Sequence, residues 1–146
     1  MTKYRVLHFD DEPLILKALA ENLKLLGWDV THVSEIDRLF KNLNNNHFDV
    51  LIMDIMAPIP ELENDHVTFS PEEIQRMDDG LNTGVILTEK IWQLEGYRNI
   101  PVLFLSARRH LNEIIQPLKI GHKCNYLQKP QLAKTIDEKL RELLSN

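Results

Sequence analysis

The chain has one cysteine, Cys124, among 146 residues. That excludes an intrachain disulfide and suits a reducing compartment. No apolar run approaches the ~20 residues that a membrane-spanning helix needs. The opening MTKYR lacks the apolar stretch of a secretion signal. No segment repeats, and no tract is of low complexity. An excess of positive charge is also missing. Seventeen Lys and Arg face 22 Asp and Glu, a formal net charge of −5, which argues against a nucleic-acid surface. These absences lead us to expect a cytoplasmic chain that binds neither membrane nor nucleic acid directly.

What is present is ordinary in bulk, with 43% hydrophobic and 27% charged residues, and the length fits one domain, 1–146, with one sizeable core. Residues 4–9 read as a short strand, apolar enough to be buried on both faces. Pro13 suits the first turn of a helix, with Asp11 or Glu12 near its cap. Leu14, Ala18 and Leu25 keep helical spacing in it, and Ile15, Leu19, Leu23 and Leu26 widen the same stripe. Gly27 is placed to end it. WDVTHV (28–33) reads as a second strand, and Ser34 with Asp37 resembles a capping box for a helix through about Leu43. FDVLIMD (48–54), IPVLFLS (100–106) and NYLQKP (125–130) read as further strands. Helices are expected over Val85–Leu94, over Leu111–Ile120 with Pro117 interrupting it, and over Gln131–Leu144. Strand and helix alternate five times, which predicts a doubly wound, five-stranded parallel sheet of flavodoxin-like (βα)5 form.

One segment breaks the repeat. Residues 59–83 carry seven acids against Arg76 alone, a net −6 that exceeds the charge of the whole chain. Within it Ser70-Pro71-Glu72-Glu73 has the pattern of a capped helix start, so a short helix through about Met77 is expected. A loop this long in a small domain is usually functional or disordered. The segment reads as a mobile acidic cover that adds little to the apolar core, or else as a solvated surface loop.

The strand ends carry the chemistry. In a parallel sheet all C-terminal ends lie on one edge, where ligands bind. Asp10 and Asp11 end the first strand, Asp54 the third and Ser106 the fourth, and Lys129 follows the fifth. Crowded carboxylates repel unless a hard cation neutralises them, and Mg²⁺ takes oxygen ligands. A metal, a lysine and a hydroxyl make a pocket for a phosphoryl group, and one carboxylate can serve as nucleophile. Taken alone, an acid pair could merely cap the next helix. Ser106 could be only a small loop residue and Lys129 only a solvated charge.

The set FDDE (9–12), LIMDIMAP (51–58), FLSA (104–107) and YLQKP (126–130), in that order, resembles the receiver domain of two-component response regulators. The resemblance covers the chain apart from 59–83. It implies that Asp54 is the phosphoacceptor and that Mg²⁺ is held by Asp10, Asp11, Asp54 and the backbone carbonyl of Met56. It further implies that Ser106 and Lys129 contact the phosphoryl oxygens, that Ser106 and Tyr126 form the switch, and that Lys129–Pro130 is cis. Met56 and Arg108 fall where the family tunes phosphoryl lifetime. Thr83-Gly84, by spacing, matches the family's Asp-Gly better than Asp79-Gly80 does. The implied partners are a histidine kinase or histidine phosphotransfer protein and a downstream effector.

Two other functions compete with this reading. One is a docking module of the same fold that works without phosphorylation. The other is a Mg²⁺-dependent aspartyl-phosphate phosphohydrolase, disfavoured because Met56 stands where a second acid would be needed. His8 reads as a packed histidine, Trp28 and Trp92 as packing residues, and His122-x-Cys124 as a loop residue and a core thiol rather than a metal pair.

Overall fold

The computed structural model describes residues 3–145. Five strands, β1 (Arg5–Phe9), β2 (Asp29–Val33), β3 (Val50–Met53), β4 (Val102–Ser106) and β5 (Cys124–Gln128), pair in the order β2-β1-β3-β4-β5. Every pairing is parallel. Six helices connect or flank them: α1 (Pro13–Leu25), α2 (Ile36–Asn45), α3 (Pro71–Arg76), α4 (Thr83–Ile91), α5 (Leu111–Ile115) and α6 (Ala133–Leu144). Among the described residues no helix is long and apolar enough to cross a membrane.

Strand side chains alternate between faces, and the alternation builds two cores. Val6, Val50, Ile52, Leu103 and Leu105 pack with Leu19, Leu23, Ile136 and Leu140 of α1 and α6. Leu7, Phe9, Leu51, Met53 and Phe104 pack on the other side with Leu39, Phe40, Ile86 and Leu87 of α2 and α4. Trp28 and Trp92 are buried, one in each core.

Local signals placed most elements. Gly27, just past α1, holds φ 99°, and its N–H returns to Lys24 O, as a helix-ending glycine does. Ser70 and Glu73 form both bonds of a capping box at α3. The segment around Pro117 is interrupted as expected: α5 stops at Ile115 and a 3₁₀ turn, Gln116–Lys119, follows.

Three expectations change. In α1 the buried face is Leu19, Ala20 and Leu23, whereas Leu14, Ala18 and Leu25 face solvent. At 100° per residue those three lie roughly opposite the buried stripe. Ile15, assigned to the stripe, lies outside the residues whose side chains are described. Asp37 does not cap α2, whose N-cap is Glu35 with no side-chain bond. Its carboxylate instead accepts from the backbone N–H of His66, 2.8 Å, and lies 2.9 Å from His66 Nδ1. That bond holds the Asp37 carboxyl below its ordinary range.

The third change concerns the acidic segment, which is packed rather than a loose cover. Phe69 and Met77 are buried in the core on the α2–α4 side, and Phe69 meets Phe40 edge-on at 6.2 Å. Glu73 pairs with Lys90 at 3.0 Å and Arg76 with Glu89 at 2.9 Å, tying α3 to α4.

Candidate functional site

The ladder continues one residue past the strands. Asp10 N–H donates to Val33 O, Asp54 N–H to Phe9 O and Lys129 N–H to Ser106 O. These bonds carry Asp10, Asp54, Ser106 and Lys129 onto one sheet edge. The Lys129 ammonium donates to Asp10 Oδ2 and, at 3.1 Å, to Asp54 Oδ2. Asp10 Oδ1 accepts from the N–H of Glu12 at 3.0 Å. Asp10 and Ser106 are fully buried and Asp54 nearly so. Asp54 Oδ1 is buried with no hydrogen-bond partner.

Burial raises the Asp54 carboxyl above its ordinary pKa, and Asp10 adds to that, while Lys129 opposes it. Burial also works against the Lys129 charge, but bonding to Asp10 and attraction from both carboxylates outweigh it, so its pKa is raised. The ammonium therefore stays charged between two acids.

Above this pair opens a cleft of about 400 Å³, lined by Asp11, Glu12, Asp54, Met56, Ala107 and Lys129, with Asp79, Gly80 and Leu81 of the insert at its rim. Asp11 and Glu12 are exposed, and one oxygen each of Asp10, Asp11 and Glu12 lie within 4.8 Å of one another. Asp54 stands outside that trio and reaches Asp10 through Lys129. The donors are all hard oxygens, and Asp54 keeps one unpartnered, so the residues present fit Mg²⁺.

The remaining expected residues lie nearby. Ser106 Oγ accepts from the N–H of Arg108 at 3.2 Å. Tyr126 is half-buried on β5, its hydroxyl 3.4 Å from Asn112 Oδ1 on α5. The Lys129–Pro130 bond is cis. His122 stacks on Trp92 at 3.7 Å, and burial pushes the Cys124 thiol up to about 11, so this pair is built into packing. His8 is buried with neither ring nitrogen bonded, and burial lowers its pKa to about 3.

Gly84 lies against the backbone at the end of β3. Its N–H donates to Ile55 O at 2.7 Å, and a Cβ there would stand 1.8 Å from Asp54 O. Thr83, named with Gly84 by its spacing, is buried, and its hydroxyl donates to Ala57 O at 2.7 Å. Sequence reasoning missed Asn82, whose side-chain oxygen accepts from Arg108 at 3.3 Å. The only signal for Asn82 was adjacency to Thr83-Gly84.

No protein-family profile matches the chain. A probable transcriptional regulator, ycf27, of Guillardia theta is 27% identical over 143 residues, 98% of this chain and 46% of that protein. The chain spans about half the length of the curated relatives it matches. The CheY-like receiver domain protein of Methanospirillum hungatei superposes with a TM-score of 0.71 at 21% identity, covering 98% of this chain and 94% of that one. The chemotaxis response regulator CheY4 of Vibrio cholerae superposes with a TM-score of 0.73 at 19% identity, covering 98% and 100%.

The fold is that of a response-regulator receiver domain. The insert supplies part of the cleft lining through Asp79, Gly80 and Leu81. A Cβ at Gly80 would meet Ala57 O at 2.7 Å, so the insert's return lies directly on the backbone that follows Asp54.

Proposed function

We propose that this chain is the phosphoacceptor switch of a two-component relay, with Asp54 receiving the phosphoryl group from a histidine kinase or histidine phosphotransfer protein. One observation carries the reading. Asp54 sits under an open cleft with one oxygen held by Lys129 and the other buried and unpartnered. A carboxylate so placed is a positioned nucleophile.

In the step, an Asp54 oxygen attacks the phosphorus of a phosphohistidine. The new O–P bond forms as the P–N bond breaks, and the imidazole leaves with the electron pair. Lys129 holds positive charge beside the transferring oxygens, and Ser106 presents its hydroxyl from the end of β4. Asp10, Asp11, Asp54 and the Met56 carbonyl would hold Mg²⁺, which supplies charge neutralisation for the phosphoryl oxygens. Once phosphorylated, Ser106 and Tyr126 alter the surface that a downstream effector reads. The chain acts as a signalling switch, not a metabolic enzyme.

Incubation with acetyl phosphate and Mg²⁺, read by intact mass, tests this. One lasting phosphoryl group is expected on the wild type and none on Asp54→Asn. No labelling of the wild type would favour a docking module, and continuous turnover of the donor a phosphohydrolase.

A further inference from the structure

The insert ends in a tightly bonded return. Ala57 N–H donates to Gly80 O at 3.1 Å, Asn82 N–H to Met77 O at 2.9 Å, and Thr83 Oγ1 to Ala57 O. These bonds fix Asn82 just before α4. Its Oδ1 accepts from Arg108 Nη2 at 3.3 Å. Arg108 lies in the loop after β4, and its own N–H holds the Ser106 hydroxyl.

The Arg108 guanidinium is poorly satisfied. It carries five N–H donors in a rigid fork. One meets a neutral acceptor at the long end of hydrogen-bond range, and Nε is buried with no partner. Among the described residues none of the ion pairs involves Arg108. Arg108 is half-buried, and leaving its buried Nε without an acceptor costs free energy that an anion would return. Ala107 and Leu81, the chain neighbours of Arg108 and Asn82, both line the cleft over Asp54, while Arg108 and Asn82 themselves do not. The guanidinium is thus parked beside the place where a phosphoryl group would bring three anionic oxygens.

We propose that Asn82 is a positioning residue through which the insert sets the lifetime of the phosphoryl group: it holds Arg108 out of the cleft. This rests on the reading of Asp54 as phosphoacceptor. Freed from Asn82, Arg108 pairs with the phosphoryl oxygens at the cleft mouth. There it occupies the path of the water that must attack phosphorus in line, opposite the Asp54 oxygen that leaves. Hydrolysis then slows. Held by Asn82, Arg108 leaves that path open.

The test loads wild type, Asn82→Ala, Asn82→Asp, Arg108→Ala and the double variant Asn82→Ala/Arg108→Ala with acetyl phosphate and Mg²⁺. The donor is then removed and the decay followed by intact mass. Asn82→Ala should keep its phosphoryl group about five-fold longer than wild type, the scale of one charge-assisted hydrogen bond. Asn82→Asp, which clamps the guanidinium with a charge, should decay at least as fast as wild type. In the Arg108→Ala background, Asn82→Ala should change nothing. Asn82 makes no side-chain cap on α4, so these changes spare the helix start, and a purely structural role would move both Asn82 variants the same way. Equal lifetimes for Asn82→Ala and wild type, or a lengthening that persists without Arg108, overturn the proposal while leaving Asp54 as acceptor. If the wild type takes no phosphoryl group, the reading of Asp54 falls, and this inference with it.

Discussion

Gly84 lies directly against the backbone of Asp54: a Cβ at residue 84 would stand 1.8 Å from the Asp54 carbonyl oxygen and 2.7 Å from the Ile55 Cα. Gly→Ala inside a helix ordinarily stabilises by roughly 0.5–1 kcal/mol. Here the sign reverses, because backbone must move to admit the methyl group. Gly84→Ala should lose about 3 kcal/mol or more. Urea unfolding at neutral pH reads the change, and a stability equal to wild type would show that α4 can slide off β3.

His8 makes stability fall in mild acid. Its folded pKa is depressed to about 3 by burial, while the unfolded chain titrates near the ordinary imidazole value of 6.5. Above that value both states are neutral and nothing is lost. As pH falls through 6.5 toward 3, the unfolded chain binds a proton that the folded chain refuses, so stability declines. Between pH 7 and pH 5 the loss should be about 1–2 kcal/mol. His8→Leu should flatten the profile over that window, measured by urea midpoints at several pH values. A parallel profile in the variant would assign the acid sensitivity elsewhere.

Phe69 anchors the insert. It is 3% exposed, meets Phe40 edge-on and lies 5.3 Å beneath the Lys90 ammonium. Phe69→Ala should cost about 3 kcal/mol. Removing residues 60–82 should cost more, because Met77 leaves the core as well. Thermal unfolding checks both, and a deletion variant as stable as wild type would restore the view of the segment as a mere cover.

Lys129 and Asp11 should separate loading from metal binding. Lys129→Ala leaves Asp10 and Asp54 with no ammonium between them, so labelling by acetyl phosphate should drop at least ten-fold, on the order of one lost charge-assisted bond. Mg²⁺ affinity should change less. Asp11→Ala should do the reverse to calorimetric Mg²⁺ binding, weakening it by about ten-fold. Unchanged Mg²⁺ affinity in Asp11→Ala would place the metal at other oxygens.

The parts of this molecule written in neighbouring residues were readable before folding. Apolar runs such as VLIM and VLFLS became buried central strands, Ser70 and Glu73 capped their helix, and Pro117 broke another. Each rests on contacts a few residues apart, where periodicity, φ restriction and missing donors act directly. The site's order along the chain was also legible, because parallel strands send every C-terminal end to one edge. Contacts across long separations were not. Lys129 meets Asp10 from 119 residues away, and nothing local says that its one ammonium spans both Asp10 and Asp54. Asp37 had the spacing of a cap yet bonds His66, 29 residues on, because packing the insert onto α2 offered it two N–H partners at once. In α1 the apolar residues surround more of the helix than the sheet can cover, so packing against α6 and β2 selected Leu19, Ala20 and Leu23 and left Leu14 and Leu25 in water. The same holds for the acidic segment: its charge is visible in composition, but whether Phe69 and Met77 find a core depends on the room that α2 and α4 leave between them.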